Sequence, residues 1–167
     1  AALMAWHVPE GKLHHIHATG RYGVELLPRL LREKGVAYEN NPNLDIREYI
    51  HDMPDCLAAA DLVIARAGAI TLAELTAVGR ASVLIPSPNV AEDHQTKNAM
   101  ALSEKGAALL IPDSEAVARL IDTAMDIVRN DVLLEKMQQR ILSLAQRDSA
   151  ARIADIILEI VAEKKSK

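Results

Sequence analysis

The segment RAGAITLAEL, residues 66–75, places groups that could bind an anion directly after the apolar run Leu62–Ala65. A helix that starts just after a strand exposes its first backbone amides, and these amides and the positive end of the helix dipole suit a phosphate group. Gly68 carries no side chain that would obstruct such a ligand. However, Thr71 and Glu74 also match the T-x-x-E capping box, in which both side chains bond to the amides of their own helix. The sequence leaves both interpretations open, although the carboxylate of Glu74 cannot serve a cap and a ligand fully at once.

The segment PSPNVAEDHQTKNA, residues 86–99, leads into a second predicted helix. Gln95 offers both a hydrogen-bond donor and an acceptor, which suits the hydroxyl groups of a sugar. A simpler interpretation is that Glu92 or Asp93 caps the helix, because acidic residues are common in a first turn. Taken alone, the pattern favours the cap.

A third segment, HATGRYG at 17–23, has two glycines after a predicted strand, which would let a ligand approach the backbone closely. It is not G-x-G-x-x-G, and it lacks the Lys-Ser/Thr pair of a P-loop, so it is neither a dinucleotide nor an NTPase fingerprint. A plain turn and a phosphate-binding loop remain equally open here.

The histidines do not predict a metal site. His14, His15 and His17 are clustered, but no C-x-x-C or H-x-x-x-H spacing completes a set of ligands. The sequence also lacks a D-x-D pair that could hold a divalent cation. If a diphosphate binds, we therefore expect amides and cationic side chains to neutralise it, without a metal or a cofactor.

Strand and helix patterns alternate along the chain, which predicts an α/β fold with a doubly wound parallel sheet. Nearly continuous apolar runs such as LVIA and SVLIP are typical of strands covered by helices on both faces. Ligands of such sheets bind beyond the carboxyl ends of the strands, which is where the three segments above lie. The predicted strands are 13–18, 44–49, 61–65, 82–85 and 107–111, and the predicted helices are 24–34, 53–60, 70–78, 93–105, 113–129, 131–146 and 149–163.

Length and composition predict one domain with an aliphatic core, because the 167 residues are 50% apolar and include no Phe. The net charge of −4 gives no indication of a basic face for nucleic acid. The one cysteine, Cys56, cannot form an internal disulfide, which fits a reducing compartment. Residues 149–167 are predicted to form a C-terminal helix and a Lys-rich tail. An apolar stripe on this helix is predicted to face a core or a neighbouring domain, and it consists of Ile153, Ile156, Ile157, Ile160 and Val161.

Four stretches, in one order, resemble the C-terminal half of the MurG family, the UDP-N-acetylglucosamine transferases of peptidoglycan synthesis. They are HATG at 17–20, IHDMPDCLAAADLVIARAGAITLAEL at 50–75, GRASVLIPSPNVAEDHQTKNA at 79–99 and EKGAALLI at 104–111. The resemblance implies a GT-B glycosyltransferase with two Rossmann-like halves facing a cleft, of which residues 1–167 form the donor-binding half. It places the lipid-linked acceptor and a candidate catalytic His in an N-terminal half outside this sequence, so no catalytic residue is expected within it.

The resemblance also implies roles for individual residues at the nucleotide. Ile50 is expected to meet uracil through its backbone, and Glu74 to bind the ribose hydroxyls, as a carboxylate that accepts two O–H bonds can. Ile70 and Thr71 are expected to present amides or a hydroxyl near the diphosphate and the sugar.

Three further positions carry implied roles. Gln95 is expected to form hydrogen bonds with hydroxyls of N-acetylglucosamine. Thr19 matches the position of a phosphate-contacting hydroxyl. Arg66 is expected to be a positioning residue. At Ala67, where some relatives have Ser, one possible hydroxyl is missing.

The implied reaction transfers N-acetylglucosamine, with inversion, from its UDP conjugate to undecaprenyl-pyrophosphoryl-muramyl-pentapeptide. The full-length enzyme is expected to be cytoplasmic and peripheral at the inner face of the cell membrane. Three alternatives remain: half of a UDP-N-acetylglucosamine epimerase, a nucleotide-binding module without chemistry, and a response-regulator domain. The epimerase would need a proton-abstracting pair, and the regulator an acidic cluster at the strand ends, and neither pattern is evident.

Overall fold

The computed structural model describes residues 1–165, so the last two residues of the predicted tail lie outside the described part. All the predicted strands and helices are found, with bounds shifted by a few residues. The strands are β1 (His15–Ala18), β2 (Leu44–Arg47), β3 (Leu62–Ala65), β4 (Ala81–Leu84) and β5 (Leu109–Leu110). The helices are α1 (Ala2–His7), α2 (Gly20–Glu33), α3 (Met53–Ala59), α4 (Ala69–Val78), α5 (His94–Ser103), α6 (Ala116–Val128), α7 (Asp131–Leu142) and α8 (Ser149–Lys165).

The strands form two parallel sheets, whereas the sequence predicts one. β1 pairs with β2, with His15 opposite Leu44. The second sheet has the order β3-β4-β5, with Leu62 opposite Ala81 and Val83 opposite Leu109. Since parallel neighbours are joined by helical crossovers, the carboxyl ends of the strands in each sheet lie at a common edge.

The core is aliphatic, as the composition predicts, and it is organised around β4. All four residues of β4 are buried. Ala81 and Val83 pack in one apolar cluster and Leu84 in another, because alternate residues of a strand face opposite sides of the sheet. A third cluster, built on Met4, Leu27 and other residues, covers the β1-β2 sheet separately.

α8 carries its apolar stripe largely exposed. Ile153 and Ile157 are 58% and 55% exposed, and Val161 is 44% exposed. The predicted helix is therefore present, but the stripe is not packed on the core of the described residues. Within this part of the chain, no helix is both long and apolar enough to cross a bilayer.

A cluster of three histidines lies where α1 meets β1. Nε2 of His7 is 3.1 Å from Nδ1 of His15, their rings are stacked, and the ring of His17 lies edge-on to that of His15. Burial, together with the nearby His17 and His7, lowers the pKa of His15 to about 3. Burial also lowers the pKa of His7 and of His17. The folded structure therefore favours the neutral form of these three imidazoles.

We expect the free energy of unfolding to fall as the pH drops from about 6.5 toward 3, because His15 is protonated near 6.5 when unfolded but only near 3 when folded. Between these values the unfolded chain binds more protons, so acid favours it. Urea unfolding at several pH values measures the effect. The variant His15→Gln should lose part of this pH dependence, whereas His14→Gln, at an exposed position, should keep it. Parallel curves for the two variants would contradict the assignment.

Candidate functional site

The start of α4 leaves three backbone amides without an acceptor. α4 begins at Ala69, with Gly68 as its N-cap in an extended conformation. The first amide to bond is that of Leu72, which donates to the carbonyl oxygen of Gly68 at 3.0 Å. The amides of Ala69, Ile70 and Thr71 find no acceptor within residues 1–165, as expected for a helix without a side-chain cap. These amides and the helix dipole make the turn a favourable place for an anion.

Of the two interpretations that the sequence leaves open at this helix, the capping box is not formed. Thr71 is the third residue of α4, not its cap, because the helix begins three residues earlier than the box requires. Glu74 is exposed and makes no hydrogen bond or ion pair with any described residue. Because Glu74 follows Ile70 by four residues and Thr71 by three, the three side chains share one face of the helix. The carboxylate of Glu74 is thus available to a ligand at the same face.

A hydrogen bond to its side-chain oxygen holds Gln95 in place. Its side-chain oxygen accepts a hydrogen bond from the amide of Ser87 at 2.9 Å. The sequence predicts that Gln95 offers both a donor and an acceptor, but this bond uses the oxygen. The side-chain NH₂ group is therefore the part of Gln95 that can still donate to a ligand.

The turn before α5 is strained, and neither predicted acidic cap is formed. Glu92 and Asp93 both have positive φ, 53° and 51°, in the left-handed region that residues other than glycine rarely adopt. Asp93 occupies the N-cap position but bonds to no helix amide, and its carboxylate accepts instead from the Thr96 hydroxyl at 2.6 Å. Such strain costs on the order of 1–3 kcal/mol per residue and is often found at functional sites.

Two polar side chains fasten these turns to one another. Asn98 on α5 donates to the carbonyl oxygen of Ala67 at 3.1 Å, which ties α5 to the turn before α4. Arg66 donates to the carbonyl oxygens of Ile85 and Pro86, both at 3.2 Å, and pairs with Asp113. Arg66 therefore joins the carboxyl ends of β3, β4 and β5, and its role in positioning a ligand stays a prediction.

Ile50 lies in the turn between β2 and α3, and the residue as a whole is buried, with 9% of its surface exposed. Arg47 at the end of β2 holds this turn. Its guanidinium contacts the carboxylates of Asp45 at 2.6 Å and Asp52 at 2.5 Å. Its hydrogen bonds lower the pKa of Asp45, and those carboxylates raise the pKa of Arg47. The sequence analysis missed Arg47, although an alternation of Asp and Arg ahead of a turn is a visible signal.

Thr19 lies at the end of β1 in the two-stranded sheet. Its hydroxyl donates to the carbonyl oxygens of Gly20 at 3.1 Å and Arg47 at 3.3 Å. It lines a shallow cavity of about 320 Å³ between α2 and β2, which contains none of the other six predicted site residues. To contact a phosphate, this hydroxyl would have to leave its backbone acceptors.

Comparison with known proteins identifies the family. Residues 3–156 match the family model of the glycosyltransferase family 28 C-terminal domain. The chain belongs to this family. Its fold is therefore the Rossmann-like C-terminal domain of a GT-B glycosyltransferase, which confirms the predicted α/β class.

Named relatives of this glycosyltransferase family 28 domain confirm the resemblance to the MurG family. The chain is 44% identical over 158 residues to the UDP-N-acetylglucosamine–N-acetylmuramyl-(pentapeptide) pyrophosphoryl-undecaprenol N-acetylglucosamine transferase of Porphyromonas gingivalis, and it covers 40% of that protein. It is 46% identical over 149 residues to the transferase of the same name from Parabacteroides distasonis, covering 39% of it. In both cases the match takes in most of this chain, 93% and 89%. The chain thus spans about two fifths of the length of these relatives.

Solved structures agree with this assignment. The domain superposes on MurG from Acinetobacter baumannii with a TM-score of 0.71 and 32% identity, over 86% of this chain and 42% of that one. A kitacinnamycin glycosyltransferase, 18% identical with a TM-score of 0.60, shares the fold.

We expect Arg66→Ala to lower the free energy of unfolding by roughly 1 kcal/mol, because it removes hydrogen bonds that join three strand ends. Arg119→Ala is the matched control: both side chains are 54% exposed, but Arg119 contacts only Glu115 on its own helical segment. The control should change stability by less than about 0.5 kcal/mol. Urea denaturation compares the two, and equal losses would contradict the positioning role of Arg66.

Proposed function

We propose that this domain is the donor-binding half of an inverting glycosyltransferase. The enzyme would transfer N-acetylglucosamine from its UDP conjugate to lipid-linked muramyl-pentapeptide during peptidoglycan synthesis. The names of the relatives support this activity, and the start of α4 supports the binding role. The observation that carries the proposal is the pairing, on one helix face, of unbonded amides with the unpaired carboxylate of Glu74.

Each part of the nucleotide would bind to protein groups of matching chemistry. The amides of Ile70 and Thr71 would donate to the diphosphate, and the carboxylate of Glu74 would accept from the ribose hydroxyls. The backbone of Ile50 would meet uracil. These contacts would hold the donor without a metal, since amide donors and the helix dipole supply the positive potential.

The sugar end of the donor would lie toward α5. The NH₂ group of Gln95 would donate to a hydroxyl of N-acetylglucosamine, and its bond to Ser87 would fix the direction of that donation. Arg66 would act through the loop that carries Ser87, because it bonds to Pro86 just before it. Thr19 would contribute a phosphate contact after giving up its backbone acceptors.

The reaction would be one displacement at the anomeric carbon. A base would remove the proton of the acceptor hydroxyl while UDP leaves, and inversion follows from the single step. Residues 1–167 would orient the donor and stabilise the negative charge on the departing diphosphate, two recognised sources of rate. The base and the lipid-linked acceptor would belong to the N-terminal half, with the whole enzyme peripheral at the inner face of the cell membrane.

We expect Glu74→Gln to weaken UDP binding by about tenfold, since an amide replaces a charged acceptor of two hydroxyl bonds. Isothermal titration with UDP measures the affinity, and thermal unfolding of the same variant measures stability. Glu104→Gln, which removes one exposed carboxylate beyond the end of α5, is the control and should bind normally. A variant Glu74→Gln that loses stability but keeps its UDP affinity would favour a nucleotide-binding or scaffold role elsewhere on the surface.

We also expect purified residues 1–167 to bind UDP weakly and to transfer no sugar, because the base lies in the other half. Incubation with radiolabelled UDP-N-acetylglucosamine and a lipid-linked acceptor, followed by extraction of the lipid, tests this. Turnover by this chain alone would overturn the placement of the base, and conversion of the free donor to an epimer would favour the epimerase.

A further inference from the structure

The turn after β2 contains backbone donors that the described chain does not use. It covers residues 48–52, between β2 and α3. Within residues 1–165, the amides of Tyr49, Ile50 and His51 donate to no acceptor. The turn follows the carboxyl end of a parallel strand, which is where ligands of such folds bind. These amides are therefore available to a ligand, provided that the turn holds them in a defined direction.

Backbone hydrogen bonds fix the two ends of this turn separately. At one end, the carbonyl oxygen of Glu48 accepts from the amide of Gly20 at 3.0 Å. At the other end, the carbonyl oxygen of Asp52 accepts from the amides of Asp55 and Cys56, both at 3.1 Å. Among the described residues, no backbone hydrogen bond joins one end to the other. The shape of the turn therefore depends on side chains.

The side chain of Arg47 closes the turn. Its Nη1 donates to the carboxylate of Asp52 at 2.5 Å and lies 3.9 Å from the sulfur of Cys56 on α3. On the other side, its Nη2 donates to Asp45 at 2.6 Å, and its Nε lies 3.0 Å from both oxygens of that carboxylate. The guanidinium thus bridges β2 and the start of α3, with Ile50 between the two anchored points.

The bonding of this guanidinium indicates a positioning role. All three of its nitrogens donate to carboxylates of the chain itself, so it acts on its neighbours and not directly on a ligand. Asp52 occupies the N-cap position of α3 but makes no side-chain cap bond, so its carboxylate serves the pairing with Arg47. The planar fork of arginine can hold two carboxylates at once, whereas the ammonium of a lysine cannot reproduce that geometry.

The backbone of Arg47 connects the same turn to the end of β1. Its carbonyl oxygen accepts from the amide of Thr19 at 2.8 Å and from the Thr19 hydroxyl at 3.3 Å. Two predicted site residues, Thr19 and Ile50, are therefore both placed relative to Arg47, one through its carbonyl and the other through its guanidinium.

We propose that Arg47 is a positioning residue that sets the preference of this site for uracil over other bases. The inference rests on the proposed function, because it takes the backbone of Ile50 as the group that meets uracil. A fixed amide donor can bond to the O4 acceptor of uracil, but cytosine presents an amino donor at that position. A rigid turn leaves that mismatch unpaired, whereas a loose turn can move to relieve it. Rigidity supplied by Arg47 is thus the source of discrimination.

Isothermal titration of this chain with UDP and with CDP tests the inference through the ratio of the two affinities. In Arg47→Ala the preference for UDP should fall by about fivefold, the effect of one ordinary hydrogen bond. Asp52→Ala should lower it similarly, because it opens the turn from the other end while Arg47 and Asp45 remain. Arg119→Ala, which removes a guanidinium paired only with Glu115, is the control and should keep the ratio.

Arg47→Lys separates positioning from charge. If the charge of Arg47 merely attracts the diphosphate, Arg47→Ala would weaken UDP and CDP equally and the lysine would restore both, which would overturn the inference. A lysine variant that keeps the lowered ratio supports it. Because Asp52→Ala leaves the arginine in place, an unchanged ratio in that variant would overturn the inference even if Arg47→Ala does not fold.

The unmodified chain distinguishes this inference from the proposed function. A clear preference for UDP that survives in Arg47→Ala would overturn the role of Arg47 alone and leave the donor-binding function intact. An unmodified chain that binds UDP and CDP equally would overturn the placement of uracil at Ile50, and the inference with it.

Discussion

Backbone amides at the start of α4 are the feature on which the site depends. A helix cannot satisfy its own first amides, and most helices recruit a polar side chain to do so. Here the N-cap is Gly68, which has no side chain, and Thr71 is too far along the helix to replace it. The unsatisfied donors are therefore part of the fold, and an anionic ligand can accept hydrogen bonds from them.

The surrounding structure keeps this turn fixed. Asn98 bonds to the carbonyl of Ala67, and Arg66 spans the ends of three strands. Preorganised donors are effective because they need no rearrangement when charge arrives. The strained residues Glu92 and Asp93 also contribute to this fixed geometry, because the turn they form places Gln95 where it bonds to Ser87.

Much of this fold could be predicted from the sequence, because burial determines both the apolar runs such as LVIA and the spacing of apolar residues along the helices. The failures have local causes. The T-x-x-E spacing leaves a cap at Thr71 open, but the helix begins at Ala69 with Gly68 as its N-cap. The bond from Ser87 to Gln95 joins residues eight apart across a loop, and no spacing rule anticipates it. The division into two sheets is invisible in a sequence pattern, since a strand looks the same whether one edge or both are paired. The residue roles taken from the MurG resemblance remain predictions.

The contact between Trp6 and Arg129 has a practical consequence. Trp6 is the only tryptophan in the chain, and it lies where α1 packs against α6. Indole emission from this protein therefore originates at a single known place, next to a cation. A change in that emission during denaturation would report separation of α1 from α6, without any added label.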